Sequence, residues 1–470
     1  MTSALLQTLL KSLALLAGLL LVGMFLRAKV RLFQKLLLPA SVIGGFVGLL
    51  LGPQLWGEHA ILSFHPDAIA VWSLLPGILI VPIFASVPLG MFMHEKKQAG
   101  PKSKDMLSRI LMYCGLFGSA GGLQMALGFG FTLVAMELVP SLNLYRTFGF
   151  ELSQGFSGGH GTAGAVGNIL EGYGMPYWET AQGVATTFAT IGLVGGMLLG
   201  IFFINRASAK GETKVISKPG QLPEVTRRGI NKNMNAQDAL GRETTNSSSI
   251  ETMTVHLGLI LLGCGLGYFL LGKVKEYQIP GLSSIPVWFY ALLIMYVING
   301  VLIKAKLDWL IDKKVKNKIT GTMSDFAITG AIASIPVKAV SSYLLPMVIL
   351  SILGFACTWL LCFPMFKFCY GKEDYPTERA IMSWGVNTGV MINGMMLLKI
   401  CDPDYETPVL NEFSMGFALM SVISMITSPI TYGLLGSGTT MQNFLFSAFL
   451  FLLYFIMAMV GKAMRRNIKD

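Results

Sequence analysis

The feature that most constrains this chain is a series of apolar runs, each roughly 20 residues long and so able to cross a ~30 Å hydrocarbon core as a helix. Of its 470 residues, 53% are hydrophobic and 13% are charged, a composition too apolar for an ordinary soluble protein. We predict an all-α polytopic membrane protein. The predicted spans are 5–26, 37–55, 69–93, 110–136, 180–204, 255–272, 286–303, 323–338, 343–366, 412–434 and 443–461.

The basic residues follow the connections between such spans. The net charge is +11, but Lys and Arg concentrate in alternate connections and are absent from residues 53–70. Under the positive-inside rule, basic connections face the cytoplasm, so the N-terminus is predicted outside and the C-terminus in the cytoplasm. Because the positive charge is spread over these connections rather than over one domain, no nucleic-acid partner is expected.

One long connection divides the chain into two halves. Residues 205–254 are polar and contain Gly, Pro, Ser, Asn and scattered charge, which predicts a mobile cytoplasmic linker. The predicted units are 1–204, the linker 205–254, 255–435, and an extra span with a basic tail at 436–470. The first and third units are each expected to hold about five spans and one re-entrant loop.

Three short motifs recur in the same order in both halves. The corresponding pairs are Leu38-Pro39 with Ile285-Pro286, Phe84–Pro88 with Ile332–Pro336, and Gly159–Thr162 with Gly385–Thr388. An odd number of spans per half would make the second half enter the membrane from the opposite face. The shared order therefore predicts two inverted repeats, an architecture that lets secondary transporters open a central site to either side.

The third pair of motifs interrupts apolar segments with glycine and polar residues. Ser157–Ala165 contains four glycines and a histidine, and Gly385–Gly389 is a weaker counterpart. Non-helical backbone at membrane depth is tolerated only where protein or a watery cavity receives it. At such breaks, helix N-termini can hold a carboxylate, and carbonyls at helix C-termini can bind sodium. The loops at 155–168 and 383–394 are therefore predicted to meet at a transport site.

Two sets of candidate residues follow from these motifs. The predicted substrate-binding residues are Ser157, Gly158, Gly159, His160, Gly161, Thr162, Asn387, Thr388 and Gly389. The predicted ion-binding residues are Ser86, Ser334, Ser383 and Asn393. Other readings stay open, because small residues also allow close helix packing, buried amides also link helices, and prolines beside the serines also kink helices.

Other function classes have no motif in the sequence. There is no phosphate-binding loop, zinc-ligand spacing or nucleophile elbow, so no enzyme activity, cofactor or transition-metal site is expected. The six cysteines lie mostly in apolar runs, where packing is the expected role. Few carboxylates lie inside predicted spans, Asp325 being the foremost, and this scarcity favours sodium over proton coupling.

Phe156 followed by Ser157–Thr162 resembles the re-entrant signature of the bacterial sodium/glutamate symporter family, and Pro39–Gly45 is similar to a stretch in that family's second span. The resemblance implies two inverted five-helix halves, sodium-coupled glutamate uptake across the bacterial cytoplasmic membrane, and a homodimer. Two features depart from the family pattern. The second loop reads Trp384–Gly389 instead of a glycine-histidine-cysteine-glycine type, and a further apolar run lies near the C-terminus.

We therefore expect a sodium-driven symporter of a small anionic carboxylate, foremost glutamate, embedded in a lipid bilayer. A symporter for a dicarboxylate or hydroxycarboxylate is the alternative within this class. An ion channel or passive pore, with the glycine loops as its selectivity filter, is the alternative from a different class.

Overall fold

The computed structural model describes residues 3–35, 38–91, 103–213, 224–277, 287–372, 374–402 and 407–469. Most of these residues are helical and none of them lies in a strand, which confirms the predicted all-α class. The helices are α1 (Ser3–Lys29), α2 (Arg31–Lys35), α3 (Ala40–Leu51), α4 (Pro53–Trp56), α5 (Pro66–Ser86), α6 (Ser103–Leu138), α7 (Phe150–Phe156), α8 (Gly159–Gly172), α9 (Trp178–Ala209), α10 (Glu224–Arg228), α11 (Thr252–Glu276), α12 (Val287–Lys304), α13 (Lys313–Ala333), α14 (Val337–Ser341), α15 (Leu344–Tyr370), α16 (Pro376–Cys401), α17 (Val409–Ser437) and α18 (Thr440–Lys469).

Ten stretches of the described chain are long and apolar enough to cross a membrane. They are 3–29, 40–59, 66–86, 104–138, 178–209, 252–276, 287–304, 344–370, 409–437 and 440–466. They coincide with ten of the eleven predicted spans, so the chain is a multi-pass membrane protein. The eleventh predicted span, 323–338, does not meet the same criterion.

Helix α13, which contains most of that eleventh span, differs because its first half carries four lysines between residues 313 and 318. Its second half is sheltered by other helices, as the Thr329 hydroxyl donates to the Ser41 carbonyl of α3 at 3.1 Å. The helix stops at Ala333, and Pro336 separates it from the short α14. The lysine-rich start keeps α13 outside this criterion, yet α13 lies antiparallel to the spanning helix α5, with Thr320 at Ser86 and Gly330 at Trp72.

Helices α7 and α8 form a hairpin, called hairpin one (residues 150–172). Gly149 packs on Gly128 of α6, whereas Ser157 lies beside Gly121, one to two turns earlier in α6. Helix α7 therefore runs antiparallel to α6 and enters the bundle from the end where α6 finishes.

Helix α8 runs back along α9 in the opposite direction. His160 contacts Thr190, while Gly167 contacts Gln182 nearer the start of α9. The segments that precede α7 and α9 meet, since the rings of Tyr145 and Tyr177 stack with their centroids 4.5 Å apart. Both ends of hairpin one therefore lie on one side of the bundle.

Helix α16 is also a hairpin, called hairpin two (residues 376–401). Its backbone leaves helical geometry at Gly389 (φ −160°, ψ 35°) and Val390 (φ 70°, ψ 170°). Across this break the chain folds back, because Gly385 of the first arm packs directly against Gly394 of the second. Both arms extend toward the C-terminal end of α9, where Gly200 meets Leu397. The hairpins thus approach from opposite ends of α9.

This opposed arrangement agrees with the inverted repeat, which stays a prediction together with the unit boundaries at 204, 254 and 435. The paired motifs behave alike where both are described: α5 ends at Ser86 and α13 ends one residue before Ser334. The Ile285-Pro286 motif lies outside the described residues.

The predicted extra helix, α18, packs along α6. Glycines of α6 face it, and a Cβ on Gly115 would lie 2.4 Å from the Ala458 amide nitrogen, while one on Gly122 would lie 2.9 Å from Phe451 Cα. Because these α6 positions are glycines, the backbones of the two helices can approach closely.

The open end of hairpin two is fixed by an arginine–carboxylate cluster, whose members are Arg109, Arg379, Arg465, Asp105, Asp374 and Glu412. Arg379 is fully buried and bidentate on Glu412, with Nε–Oε2 at 2.7 Å and Nη2–Oε1 at 2.8 Å. Its guanidinium also lies 4.1 Å from the centroid of the Tyr370 ring. The three arginines balance the three carboxylates, and the cluster joins α6, α16, α17 and α18.

Candidate functional site

The tips of the two hairpins touch. Gly159 at the turn of hairpin one has φ 68°, and Val390 at the turn of hairpin two has φ 70°. A Cβ added to Gly159 would lie 2.0 Å from Val390 Cγ1, well inside van der Waals contact. The two turns can meet only because residue 159 has no side chain and tolerates positive φ.

The break in hairpin one is shorter than the sequence suggested. Only Ser157 and Gly158 separate α7 from α8, and α8 already includes Gly159. In hairpin two, the break at Gly389 follows Thr388, which is still helical. Each tip is therefore a sharp turn between helix ends, and most of the predicted loop residues lie on helices.

The first turn of α8 is tied back to α7. The Thr162 hydroxyl donates to the Gln154 carbonyl at 2.7 Å. A Cβ on Gly158 would lie 1.7 Å from Thr162 Oγ1, whereas one on Gly161 would lie 3.3 Å from Ile80 Cδ1 of α5. Gly158 is thus required for this turn, while Gly161 lets α5 approach.

A neutral polar network joins the two hairpins behind their tips. Ser157 Oγ lies 2.8 Å from Gln124 Oε1 and 3.1 Å from Asn387 Oδ1. Gln124 Nε2 in turn donates to the Thr358 hydroxyl at 2.7 Å and to the Asn387 carbonyl at 2.8 Å. Asn387 Nδ2 donates to the Ser383 carbonyl at 3.1 Å. The network brings four elements, α6, hairpin one, α15 and hairpin two, to one point.

His160 is buried at 2% exposure and bonds to α9. Its Nε2 lies 3.0 Å from Thr190 Oγ1, and the Thr190 hydroxyl donates its own proton to the Thr186 carbonyl at 3.0 Å. Because a hydroxyl has one proton, Thr190 must accept from His160 Nε2–H. The imidazole therefore holds the tip of hairpin one on α9.

Hairpin two also packs on α9, at positions where a glycine leaves room for the neighbouring residue. A Cβ on Gly196 would lie 2.1 Å from Thr388 Oγ1. Beyond the break, Asn393 Nδ2 donates to the Leu193 carbonyl at 3.0 Å, and Gly389 leaves room for that amide. Thr388, Gly389 and Asn393 thus occupy one face of α9, next to the turn that holds His160.

The tips bring helix ends of opposite polarity together. Helix α8 begins at Gly159 without a side-chain cap, so its first amides present partial positive charge. The first arm of hairpin two ends at Thr388, and its terminal carbonyls present partial negative charge. A carboxylate and a cation can be accommodated at such a junction without a fixed opposite charge.

Two of the predicted ion ligands are far apart. Ser86 Oγ lies 2.8 Å from Thr320 Oγ1 of α13, whereas Ser334 follows the other end of α13 and donates to the Gly330 carbonyl at 2.7 Å. Residues 320 and 334 are separated by about 21 Å of helical rise. Ser86 and Ser334 therefore cannot ligate one ion, while Ser383 does join the network behind the tips.

A cavity of about 250 Å³ lies between α5, α9 and the α13–α14 break. Its wall includes Thr186, whose carbonyl accepts the Thr190 bond described above. The cavity wall is thus linked through α9 to Thr190, the hydrogen-bond partner of His160. Its other lining residues are Gln54, Pro66, Ile69, Ala70, Ser73, Trp178, Glu179, Gln182, Gly183, Ala331, Ser334, Ile335 and Pro336.

Three residues of this site were not predicted from the sequence, namely Gln124, Thr190 and Thr358. Gln124 could have been identified from the sequence, because it is a lone amide inside an apolar run and a buried amide needs hydrogen-bond partners. Thr190 and Thr358 carried none, since threonines in apolar helices usually bond to their own backbone. Both also make that local bond here.

The sequence profile of the sodium/glutamate symporter family matches residues 5–390, whereas no curated protein matches the chain. The matched region starts in α1 and ends at the turn of hairpin two, so it includes hairpin one, α9 and the first arm of hairpin two. Helix α18 lies beyond the match. With most of its length covered by this profile and a bundle of membrane-spanning helices around two opposed hairpins, the chain belongs to the sodium/glutamate symporter family of transporters.

Proposed function

We propose that the chain is a sodium-driven symporter of a small carboxylate, with glutamate as the leading substrate. The observation that carries the proposal is the contact of Gly159 with Val390 beside the middle of α9. Alternating access requires one central site that two opposed elements can expose in turn. Two hairpins that enter from opposite ends and meet at their tips supply such a site.

The start of α8 supports an anionic substrate. Its uncapped amides carry partial positive charge, and the hydroxyls of Ser157 and Thr162 lie on the same tip. A carboxylate bound there would accept hydrogen bonds from amides and hydroxyls and would need no lysine or arginine. The substrate would displace the mutual hydrogen bonds of these groups.

The end of the first arm of hairpin two supports the sodium ion. Asn387 offers a side-chain oxygen, and Thr388 offers a carbonyl that lies against Gly192 of α9. Oxygens of this kind replace the hydration shell of sodium in broken-helix transporters. Placing the cation beside the carboxylate would make binding of each favour the other, which is the energetic basis of symport.

The closed contact between the tips favours a transporter over an open pore. A continuous pathway would require space between Gly159 and Val390, where the structure has van der Waals contact. The cavity at Thr186 and Ser334 is the proposed vestibule that leads toward the tips from one side. Its volume is about 250 Å³.

Uptake by proteoliposomes tests the proposal. Labelled glutamate should accumulate above equilibrium when sodium is high outside, and it should not when potassium replaces sodium. Unlabelled dicarboxylates and hydroxycarboxylates, added as competitors, identify the carboxylate that the site prefers. Flux that never runs uphill would indicate a pore, and uphill uptake without sodium would refute sodium coupling.

A matched pair of variants tests the site itself. Asn387→Ala removes an amide that bonds to Ser383 and faces Ser157, whereas Asn411→Ala changes an exposed amide on α17. Losing a buried hydrogen-bond partner costs about 1–3 kcal/mol, so we expect a roughly 5- to 150-fold loss of uptake in the first variant alone. Equal uptake by both variants at equal expression would remove Asn387 from the site.

We further propose a homodimer in the bacterial cytoplasmic membrane, with the N-terminus outside and the C-terminus in the cytoplasm. The basic connections support this orientation. Labelling of single cysteines introduced at each end of the chain in intact cells tests the orientation, and mass measurement of the purified protein tests the dimer.

A further inference from the structure

A fully buried carboxylate lies at the base of hairpin one. Glu151 is in the first turn of α7 and has 0% exposure. Its carboxyl is approached by the Tyr145 hydroxyl and by its own backbone amide, although neither carboxyl oxygen has a donor in strict hydrogen-bonding geometry among the described residues. The Tyr145 side chain is the polar group that adjoins it. The Thr147 hydroxyl, in the turn that leads into α7, is buried and has no partner among the described residues.

Within the described part of the chain, no basic residue pairs with this carboxylate. Arg146 is near in sequence, but its Nη2 donates to the Leu435 and Gly436 carbonyls at 2.7 and 2.9 Å and so caps α17. The titratable neighbours of Glu151 are tyrosines: Tyr145, Tyr343 before α15, and Tyr177 stacked on Tyr145. The other charged groups at this end of the helices around α7 are all exposed, namely Glu137, Glu171, Glu179 and Lys338.

A charged carboxylate in such surroundings would be costly. Transfer of an unpaired carboxylate out of water costs several kcal/mol even after relaxation of the protein, and buried groups avoid this cost by taking up a proton. A protonated carboxyl also has one O–H to donate, and the Tyr145 side chain offers an acceptor beside it. The geometry therefore favours the neutral acid while hairpin one is docked.

We infer that Glu151 is a proton-binding site: it holds a proton while hairpin one is packed in the bundle and releases it when the hairpin opens to water. Proton release would then accompany opening, because water solvates the carboxylate that the aromatic surroundings cannot. Only a proton moves, from the Glu151 carboxyl to water. The link to opening rests on the proposed transport function, whereas the bound proton does not.

Infrared spectra of the purified protein near neutral pH, where exposed carboxyls are ionised, test the bound proton directly. We expect a carbonyl band of a protonated carboxylic acid that Glu151→Gln abolishes. Glu171→Gln, which changes an exposed carboxylate at the end of the same hairpin, should keep the band. Tyr145→Phe should shift its frequency without removing it, which tests the site without removing the carboxyl. A spectrum unchanged by both Glu151→Gln and Tyr145→Phe would overturn the inference.

Proteoliposome uptake at varied external pH tests the link to opening. A step that releases one proton changes its equilibrium constant by ~10-fold per pH unit across the range in which the group titrates. Wild-type and Glu171→Gln proteins should show this dependence, and Glu151→Gln should lose it. Dependence that persists in Glu151→Gln would refute the link. Wild-type protein without any glutamate uptake would instead defeat the proposed function and leave the infrared result standing.

Discussion

Substitution of Gly159 tests the contact between the hairpin tips most directly. Gly159→Ala forces an L-residue into φ 68°, which costs about 1–2 kcal/mol. Its Cβ would also lie 2.0 Å from Val390 Cγ1, and overpacking of this kind costs about 1–3 kcal/mol. The two effects together should lower the stability of the docked tips by about 2–5 kcal/mol. The equilibrium between docked and separated tips would then shift roughly 30- to 4,000-fold toward separation.

A double-mutant cycle separates the contact from the backbone strain. Val390→Gly removes Cγ1. When it is combined with Gly159→Ala, the protein should therefore regain the stability that the clash cost, about 1–3 kcal/mol. The strain at residue 159 should persist in the double variant. Thermal unfolding in detergent measures the loss of stability, and glutamate uptake in proteoliposomes measures the loss of transport.

Gly172→Ala is the matched control, because Gly172 ends the same helix and its added Cβ meets nothing within 4 Å. We expect this variant to unfold and transport like the wild type. The contact between the tips is refuted if Gly159→Ala is as mild as Gly172→Ala, or if the cycle shows no coupling between residues 159 and 390.

Three further predictions concern the groups around the hairpins. Arg379→Ala should lower the free energy of unfolding by about 3 kcal/mol, the lower end for a broken buried ion pair, since Glu412 loses its bidentate partner and keeps only Arg109 at 3.2 Å; equal stability in denaturation would contradict this. Gln124→Ala should reduce uptake strongly at unchanged expression, because Ser157 and Asn387 each lose a buried partner; unaltered uptake would exclude the network from transport. For Asp374, burial opposes ionisation, but attraction to the three arginines of the cluster outweighs it and lowers the pKa. Its contribution to stability should therefore be complete above the ordinary carboxyl pKa and disappear as pH falls through the lowered value, and Asp374→Asn should abolish that part of the acid dependence of unfolding.

The sequence predicted the membrane class, ten of the spans and the tip residues because each leaves a local signal. Apolar runs are set by the thickness of the bilayer, and Gly159 was identifiable because a turn at membrane depth requires glycine. The segment at 323–338 lacks that local signal over its full length. Its apolar half resembles a spanning helix, but the helix begins among lysines and is sheltered by its neighbours.

Contacts between distant segments were beyond prediction. Gln124 and Asn387 are separated by most of the chain, and nothing local indicates that a glutamine of α6 donates to a carbonyl of hairpin two. Glu151 was overlooked because it lies just before the glycine motif, in a segment too short to be read as a span. Its importance arises from what surrounds it among the described residues, three tyrosines and no cation, which only the folded chain reveals.

The two hairpins share α9 as a support but differ in how their bases are held. Hairpin one meets α9 at Thr190, and hairpin two meets it within the next two turns, at Gly192 and Gly196, so a movement of α9 would carry both tips together. Opening must therefore move one hairpin relative to α9. The base of hairpin two is held by the bidentate pair of Arg379 with Glu412, whereas the base of hairpin one contains a carboxyl without a counterion, which gains hydration on exposure. Hairpin one costs less to displace, and we expect it to be the element that opens.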